Sequence, residues 1–193
     1  ADALVGAAYG AAGERGLAIS VAVPVGDDTA DRLLEKLVPK VETLKVGPYT
    51  SGEDVDYGPV VTAAAKQNIL GLVQSGVDAG AELVVDGRDF ALQGYEDGFF
   101  VGACLFDHAT TDMDIYKKEI FGPVLTTVRA QSYEEAIGMA MDHEYGNGTA
   151  IFTRDGDTAR DFASRINIGM VGVNVPIPVP LAYHTFGGWK KSA

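Results

Sequence analysis

Few residues of this chain carry reactive chemistry, and the most informative position carries none. Glu14, Arg15 and Gly16 stand between an Ala/Gly-rich stretch and an apolar run over 17–25. A loop at the head of a strand is where α/β enzymes place nucleophiles, and here that place holds glycine. Arg15 offers a guanidinium fork that can receive a carboxylate through two parallel N–H groups. It can equally be a surface arginine paired with Glu14. Glu119 stands just ahead of Ile120, Phe121, Gly122 and Pro123. A carboxylate there can accept from sugar hydroxyls or stand solvated, and spacing does not decide between them. Cys104 lies within the apolar segment 99–106 and reads as a small buried hydrophobe. His108, His143 and His184 have no metal-ligand spacing, and with one cysteine no zinc or other metal site is expected. Gly146, Asn147 and Gly148 read as a turn rather than a phosphate cradle. No G-x-G-x-x-G follows a strand, so a Rossmann-type nucleotide turn is not expected.

Alternating strands and helices must position these groups. An opening helix runs toward Tyr9, and a strand is expected over 17–25, stopping at Gly26. Asp27, Asp28 and Thr29 offer a helix N-cap. Leu33, Leu34, Leu37, Val41 and Leu44 follow at helical spacing, with Pro39 expected to kink or split the helix. A Gly/Pro/Asp-rich loop fills 45–59. A second helix is expected over 62–79, then strands over 82–85, 99–106 and 124–128, with 88–97 irregular. Ser132 to Glu135 form a capping-box pattern opening a helix through Met141. A turn over 145–148, a strand over 149–153, a helix over 157–166 and a strand over 170–175 follow. Pro176, Pro178 and Pro180 keep the next segment extended and out of a central sheet. Most strand runs are continuously apolar. That pattern predicts an α/β fold, a three-layer open and largely parallel sheet with helices on both faces.

The length of 193 residues allows one domain or two small ones. A formal net charge of -12 argues against nucleic acid and against anionic membrane surfaces, since both call for a basic footprint. No apolar run approaches the ~20 residues of a membrane span. The single cysteine points to a reducing compartment, the cytoplasm. The first residues lack the basic start of a secretory signal, and the abrupt ends suggest a piece of a longer chain. The 24 glycines point to tight turns and close backbone approaches.

Three stretches, EIFGPVLTTVRAQSYEEAI, EYGNGTAIFTRDGDTARDF and GMVGVNVPIPVPLAYHTFGGWKKS, resemble the aldehyde dehydrogenase superfamily. Within it the match is best to the CoA-acylating methylmalonate-semialdehyde dehydrogenase branch, with VNVPIPVPL the most specific part. DMDIYKKEIFGPV also matches. GERGLAISVAVPVG resembles the family's nucleophile segment, normally Gly-Glu-Arg-Cys-Met-Ala. The likeness covers essentially the whole chain with its motifs in order.

The resemblance implies that residues 1–193 are a catalytic domain, without the nucleotide-binding domain and without the terminal segment that helps form the homo-oligomer. Apolar surface left exposed by those parts fits the mean hydropathy of +0.07. Gly16 takes the place of the nucleophilic cysteine, and Leu17 that of the methionine. In the family the thiolate attacks an aldehyde, hydride leaves to NAD, and CoA takes the acyl group. Glycine can do none of this covalent chemistry, although its backbone N–H matches half of the family's oxyanion hole. Glu119 matches the ligand of the nicotinamide ribose, and Phe121 the aromatic beside the nicotinamide. Arg15 matches the arginine that holds the substrate carboxylate. Asn174 opens a loop, 174–181, near the substrate entrance, with 145–149 close by. NAD affinity is expected to be weak or nil for this stretch alone. Two main readings follow: a dehydrogenase piece that is inactive as encoded, or a non-catalytic binding or assembly module. A third is a relative acting on another short carboxylate-bearing aldehyde.

Overall fold

Helices and short apolar strands alternate along the chain in a computed structural model that describes residues 1–52 and 54–192. The chain forms two compact units, Ala1–Arg129 and Ala130–Ala193.

The first unit holds helices α1 (Asp2–Tyr9), α2 (Asp27–Glu42), α3 (Ala63–Asp78) and α4 (Asp114–Lys117). Its strands are β1 (Val21–Ala22), β2 (Glu82–Val85), β3 (Cys104–Asp107) and β4 (Val124–Thr127). They form one sheet in the order β1-β4-β3-β2. β1 and β3 flank β4 in parallel, and β2 joins β3 antiparallel with a register shift between Leu83 and Val85. Every residue of β3 and β4 is buried. Successive strand residues point to opposite faces, so both faces of these strands are covered. The expected mixed α/β fold with a mainly parallel sheet is therefore present.

Two strands are shorter than their apolar runs suggest. The run over 17–25 yields only Val21–Ala22. Its first amides are used elsewhere: Ala18 N–H donates to Arg15 O and Ile19 N–H to Ala7 O. The run over 99–106 enters the sheet only at Cys104. Ahead of it, Gly102 N–H donates to Gly87 O at 3.1 Å, and a Cβ on Gly102 would stand 2.7 Å from that oxygen. Backbone packed this closely makes a loop contact instead of a ladder.

Pro39 neither splits nor ends α2, which continues to Glu42. The ring removes one helical hydrogen bond near the end of the helix, and Thr43 Oγ1 closes that end by donating to Pro39 O and Lys40 O. The expected Asp/Thr cap is also displaced. Gly26, at φ 85°, occupies the N-cap, while Asp27 and Asp28 lie in the first turn, where the helix dipole favours them. α3 begins as expected, with Thr62 Oγ1 accepting from Ala65 N–H at 3.0 Å.

One cation ties the first unit's sheet to α2. Arg129 Nε and Nη2 donate to the two oxygens of buried Asp107 at 3.2 and 2.7 Å. The same guanidinium reaches Asp27 at 3.3 Å and Asp31 at 2.8 Å, both on α2. Burial works to raise the Asp107 pKa. The hydrogen bonds from Arg129 and from the His108 backbone outweigh it and hold the carboxyl below its ordinary range.

The second unit comprises α5 (Tyr133–Asp142), β5 (Tyr145–Gly146), β6 (Gly148–Ile151), α6 (Gly156–Arg165), β7 (Met170–Val173) and β8 (Trp189–Lys190). β6 and β7 pair in parallel, and β5 and β8 antiparallel. Tyr145 and Gly146, expected in a turn, are thus strand residues. Ile137, Phe162, Ile166 and Ile168 form this unit's buried core. Ser132 Oγ accepts from Glu135 N–H as a capping box requires, but Glu135 Oε2 accepts from Gln131 N–H rather than from Ser132. Lys190 Nζ donates to the carbonyls of Ala140, Met141 and His143, closing the C-terminal end of α5. Among the described residues, no helix is long and apolar enough to cross a membrane.

A depressed carboxylate contributes stability above its unfolded-state pKa and loses it as pH falls through the folded value. Asp107→Asn should therefore lower the urea midpoint at pH 7 and flatten its fall below about pH 4. Urea titrations across pH check this. Parallel acid limbs for the two proteins would contradict the assignment.

Candidate active site

The segment that carries Arg15 and Gly16 begins where α1 ends. Ala11, Ala12 and Gly13 follow with φ of 53°, 57° and 70°, three consecutive residues in the left-handed region. A left-handed alanine costs roughly 1–2 kcal/mol, so this run must be held by its surroundings. Gly13 shows how. A Cβ there would lie 2.0 Å from Gly122 O, so the two backbones touch where no side chain fits. Gly122 is in turn pressed on Ile69 of α3, 2.6 Å from the site of a Cβ.

Beyond this contact the chain turns outward. Ala18 N–H closes on Arg15 O at 3.0 Å, placing Gly16 second in a four-residue turn. Arg15 and Gly16 are both exposed. Glu14 Oε1 accepts from Val61 N–H at 3.3 Å. Among the described residues Arg15 makes no ion pair, and its Nη1 reaches Gly6 O at 3.5 Å, a long bond. The surface-pair reading of Glu14 and Arg15 therefore fails.

Gly16 differs from Gly13 in kind. Its φ lies outside the left-handed region, and a Cβ there meets no atom of the described residues within 4 Å. Neither backbone conformation nor crowding calls for glycine. The first atom of a side chain thus has room at this turn.

Glu119, Phe121 and Gly122 bring a second wall. Glu119 is exposed and forms no ion pair among the described residues. Ile120 beside it is buried and anchors the segment. Phe121 is held at φ 56° with its ring half-exposed, a conformation rare for an aromatic residue. Arg15, Glu119 and Phe121 line one small cavity together with Gly13, Ile19 and Gly122. Its volume is about 10 Å³, room for about one water molecule. These segments thus form a wall rather than an enclosing pocket.

Asn174 belongs to the second unit. It stands just beyond β7 at φ 57°, a left-handed conformation that asparagine tolerates. Its Oδ1 accepts from Thr153 N–H and its Nδ2 donates to Thr153 O, both at 3.0 Å. The amide thus fastens the strand ends together. Its side chain lines a surface hollow with Phe152, Thr153 and Arg154.

Cys104 is fully buried in β3, as its apolar neighbours suggested. Burial pushes its thiol up to about 11, against a backbone hydrogen bond from Gly87. It stays protonated at neutral pH, and only thiolates act as nucleophiles. Glu82, Asp107 and His108 bring three ligand atoms within 4.8 Å of one another. The Asp107 oxygens are already engaged by Arg129.

Sequence reading missed the Gly13–Gly122 contact. The glycine content signalled close approaches in general but not which residues meet. Gly13→Ala should destabilise the protein by about 3 kcal/mol through backbone clash and left-handed strain. Gly16→Ala should change stability by less than about 0.5 kcal/mol. Denaturant unfolding of both variants distinguishes these cases, and equal losses would show that Gly16 is a structural turn glycine.

The family profile described as the aldehyde dehydrogenase family matches residues 1–193. A malonate-semialdehyde dehydrogenase of Pseudomonas aeruginosa is 62% identical over 191 residues, which are 99% of this chain and 38% of that protein. The mitochondrial acylating methylmalonate-semialdehyde dehydrogenase of Arabidopsis thaliana is 49% identical over 191 residues, 99% of this chain and 31% of that protein. The match to the crystal structure of a Sinorhizobium meliloti protein complexed with NAD has a TM-score of 0.97 and 71% identity. It covers 99% of this chain and 39% of that one. The chain therefore spans well under half the length of these relatives. It belongs to the aldehyde dehydrogenase family.

Proposed function

We propose that this chain is the catalytic domain of an NAD-dependent, CoA-acylating dehydrogenase of malonate or methylmalonate semialdehyde, with glycine at the position of its nucleophile. The reading includes a nucleotide-binding domain and an oligomer-forming segment elsewhere in the protein, a homo-oligomeric assembly and a cytoplasmic location. One observation carries it. Arg15, without an acidic partner among the described residues, lines the same small cavity as Glu119 and Phe121, beside a turn position open to a side chain. The relatives, a malonate-semialdehyde and a methylmalonate-semialdehyde dehydrogenase by name, support the substrate class.

Each residue has a chemical task in this reading. The guanidinium of Arg15 receives the carboxylate of the semialdehyde and orients it over the turn. The side chain at position 16 would attack the aldehyde carbon, which glycine cannot do. As encoded, the site stops at binding. Glu119 and Phe121 suit the nicotinamide end of NAD: an exposed carboxylate accepts from vicinal ribose hydroxyls, and a half-exposed ring covers a flat heterocycle. When bound, NAD supplies the hydride acceptor. In the full reaction CoA would take the acyl group and CO2 would leave. Asn174 belongs to the substrate-entrance loop in this reading, and its clamp on Thr153 would keep the loop's base in place.

A second reading has one observation in its favour, the glycine itself. There the domain has lost catalysis and persists as a binding or assembly module. NADH formation separates the two. The full-length protein and its Gly16→Cys variant are given methylmalonate semialdehyde, NAD and CoA. The dehydrogenase reading predicts no turnover as encoded and turnover in the variant. A folded Gly16→Cys protein without activity would favour the binding module.

A further inference from the structure

Gly10 has no backbone reason to be glycine. It follows α1 with φ -54° and ψ 136°, an extended conformation open to any residue. What it touches is Arg15. A Cβ on Gly10 would stand 2.8 Å from Nη1, 2.8 Å from Nη2 and 2.9 Å from Cζ. Near-equal distances to these three atoms mean that the guanidinium turns a face, not an edge, toward Gly10. The bare Cα is the surface on which the fork rests. Among the described residues, the fork donates one hydrogen bond, the long one from Nη1 to Gly6 O. Gly6 O also accepts from Gly10 N–H, so the same carbonyl fixes both the platform and the group lying on it.

We propose that Gly10 is a positioning residue for Arg15, setting where the carboxylate of the substrate is received. The inference rests on the reading of Arg15 as carboxylate receptor. An alanine at position 10 would force the guanidinium back by about 1 Å to reach ordinary contact distance. The obstacle is the far end of a flexible, exposed side chain, so the guanidinium moves and the backbone stays. The consequence falls on ligands with a carboxylate and spares those without one. This contrasts with Gly13, where the obstacle is backbone.

The test uses the encoded protein, whose Gly16 allows semialdehyde to bind without covalent reaction. NMR titration measures Kd for malonate semialdehyde and for propanal, which has the aldehyde but no carboxylate. The proteins are the parent, Gly10→Ala, Arg15→Ala and the double variant. Gly10→Ala should weaken malonate semialdehyde binding about tenfold, leave propanal binding unchanged and keep the parent's melting temperature. The double variant should bind malonate semialdehyde no more weakly than Arg15→Ala alone, because Gly10 acts only through Arg15. If Arg15→Ala weakens binding and Gly10→Ala does not, the platform is refuted while Arg15 keeps its role. Additive losses in the double variant, or a Gly10→Ala protein that no longer folds, would likewise overturn the platform. If the parent shows no saturable binding, or Arg15→Ala binds as the parent does, the carboxylate-receptor reading itself fails.

Discussion

The candidate site depends on a contact in which no side chain takes part. Gly13 lies against the carbonyl of Gly122 at a distance that excludes even a methyl group. This contact holds the left-handed run Ala11 to Gly13, which would otherwise relax to a cheaper conformation. The run directs Arg15 and Gly16 outward, while Gly122 follows Glu119 and Phe121 in the opposing segment. Ile69 braces Gly122 from the other side and links the arrangement to the core face of α3. One glycine pair thus sets the spacing of residues that lie more than a hundred positions apart in the chain.

Around that contact, each glycine of the segment meets a different demand. Gly13 is needed for conformation and for space. Gly10 is needed for space alone, and only against a side chain. Gly16 is needed for neither. These distinctions turn a glycine-rich stretch into a functional argument. In the proposed reading, a turn that could hold a side chain, beside an arginine without an acidic partner among the described residues, is a site for attack on a bound carboxylate-bearing molecule.

Much of this was legible from residue order where local chemistry governs. The helix predicted over 62–79 is nearly α3 because Thr62 caps it and Gly80 follows its end. The strand over 82–85 is β2 in full. Ser132 caps α5 as its spacing predicts. Close turns, chain ends and non-local contacts decided the misreadings. Apolar runs over 17–25 and 99–106 looked like full strands, yet their amides are claimed by Arg15, Ala7 and Gly87. Asp27 looked like a cap, yet its carboxylate is drawn to Arg129, 102 positions away. Pro39 looked like a helix breaker, but it lies too near the end of α2 to break it. At the site, Arg15, Glu119 and Phe121 were nominated from motifs, and their shared cavity became visible only in the fold. The glycine contacts that align them leave no periodic or compositional trace.

The central claim is that position 16 is an open seat for a reactive side chain on an intact frame. Timed alkylation of native Gly16→Cys with iodoacetamide tests it, since Cys104 is buried and protonated. The account predicts one thiol modified rapidly per chain, an unmodified Cys104, and a melting temperature equal to that of the encoded protein. A new thiol that resists alkylation in the folded state, or a variant that melts well below the parent, would contradict it.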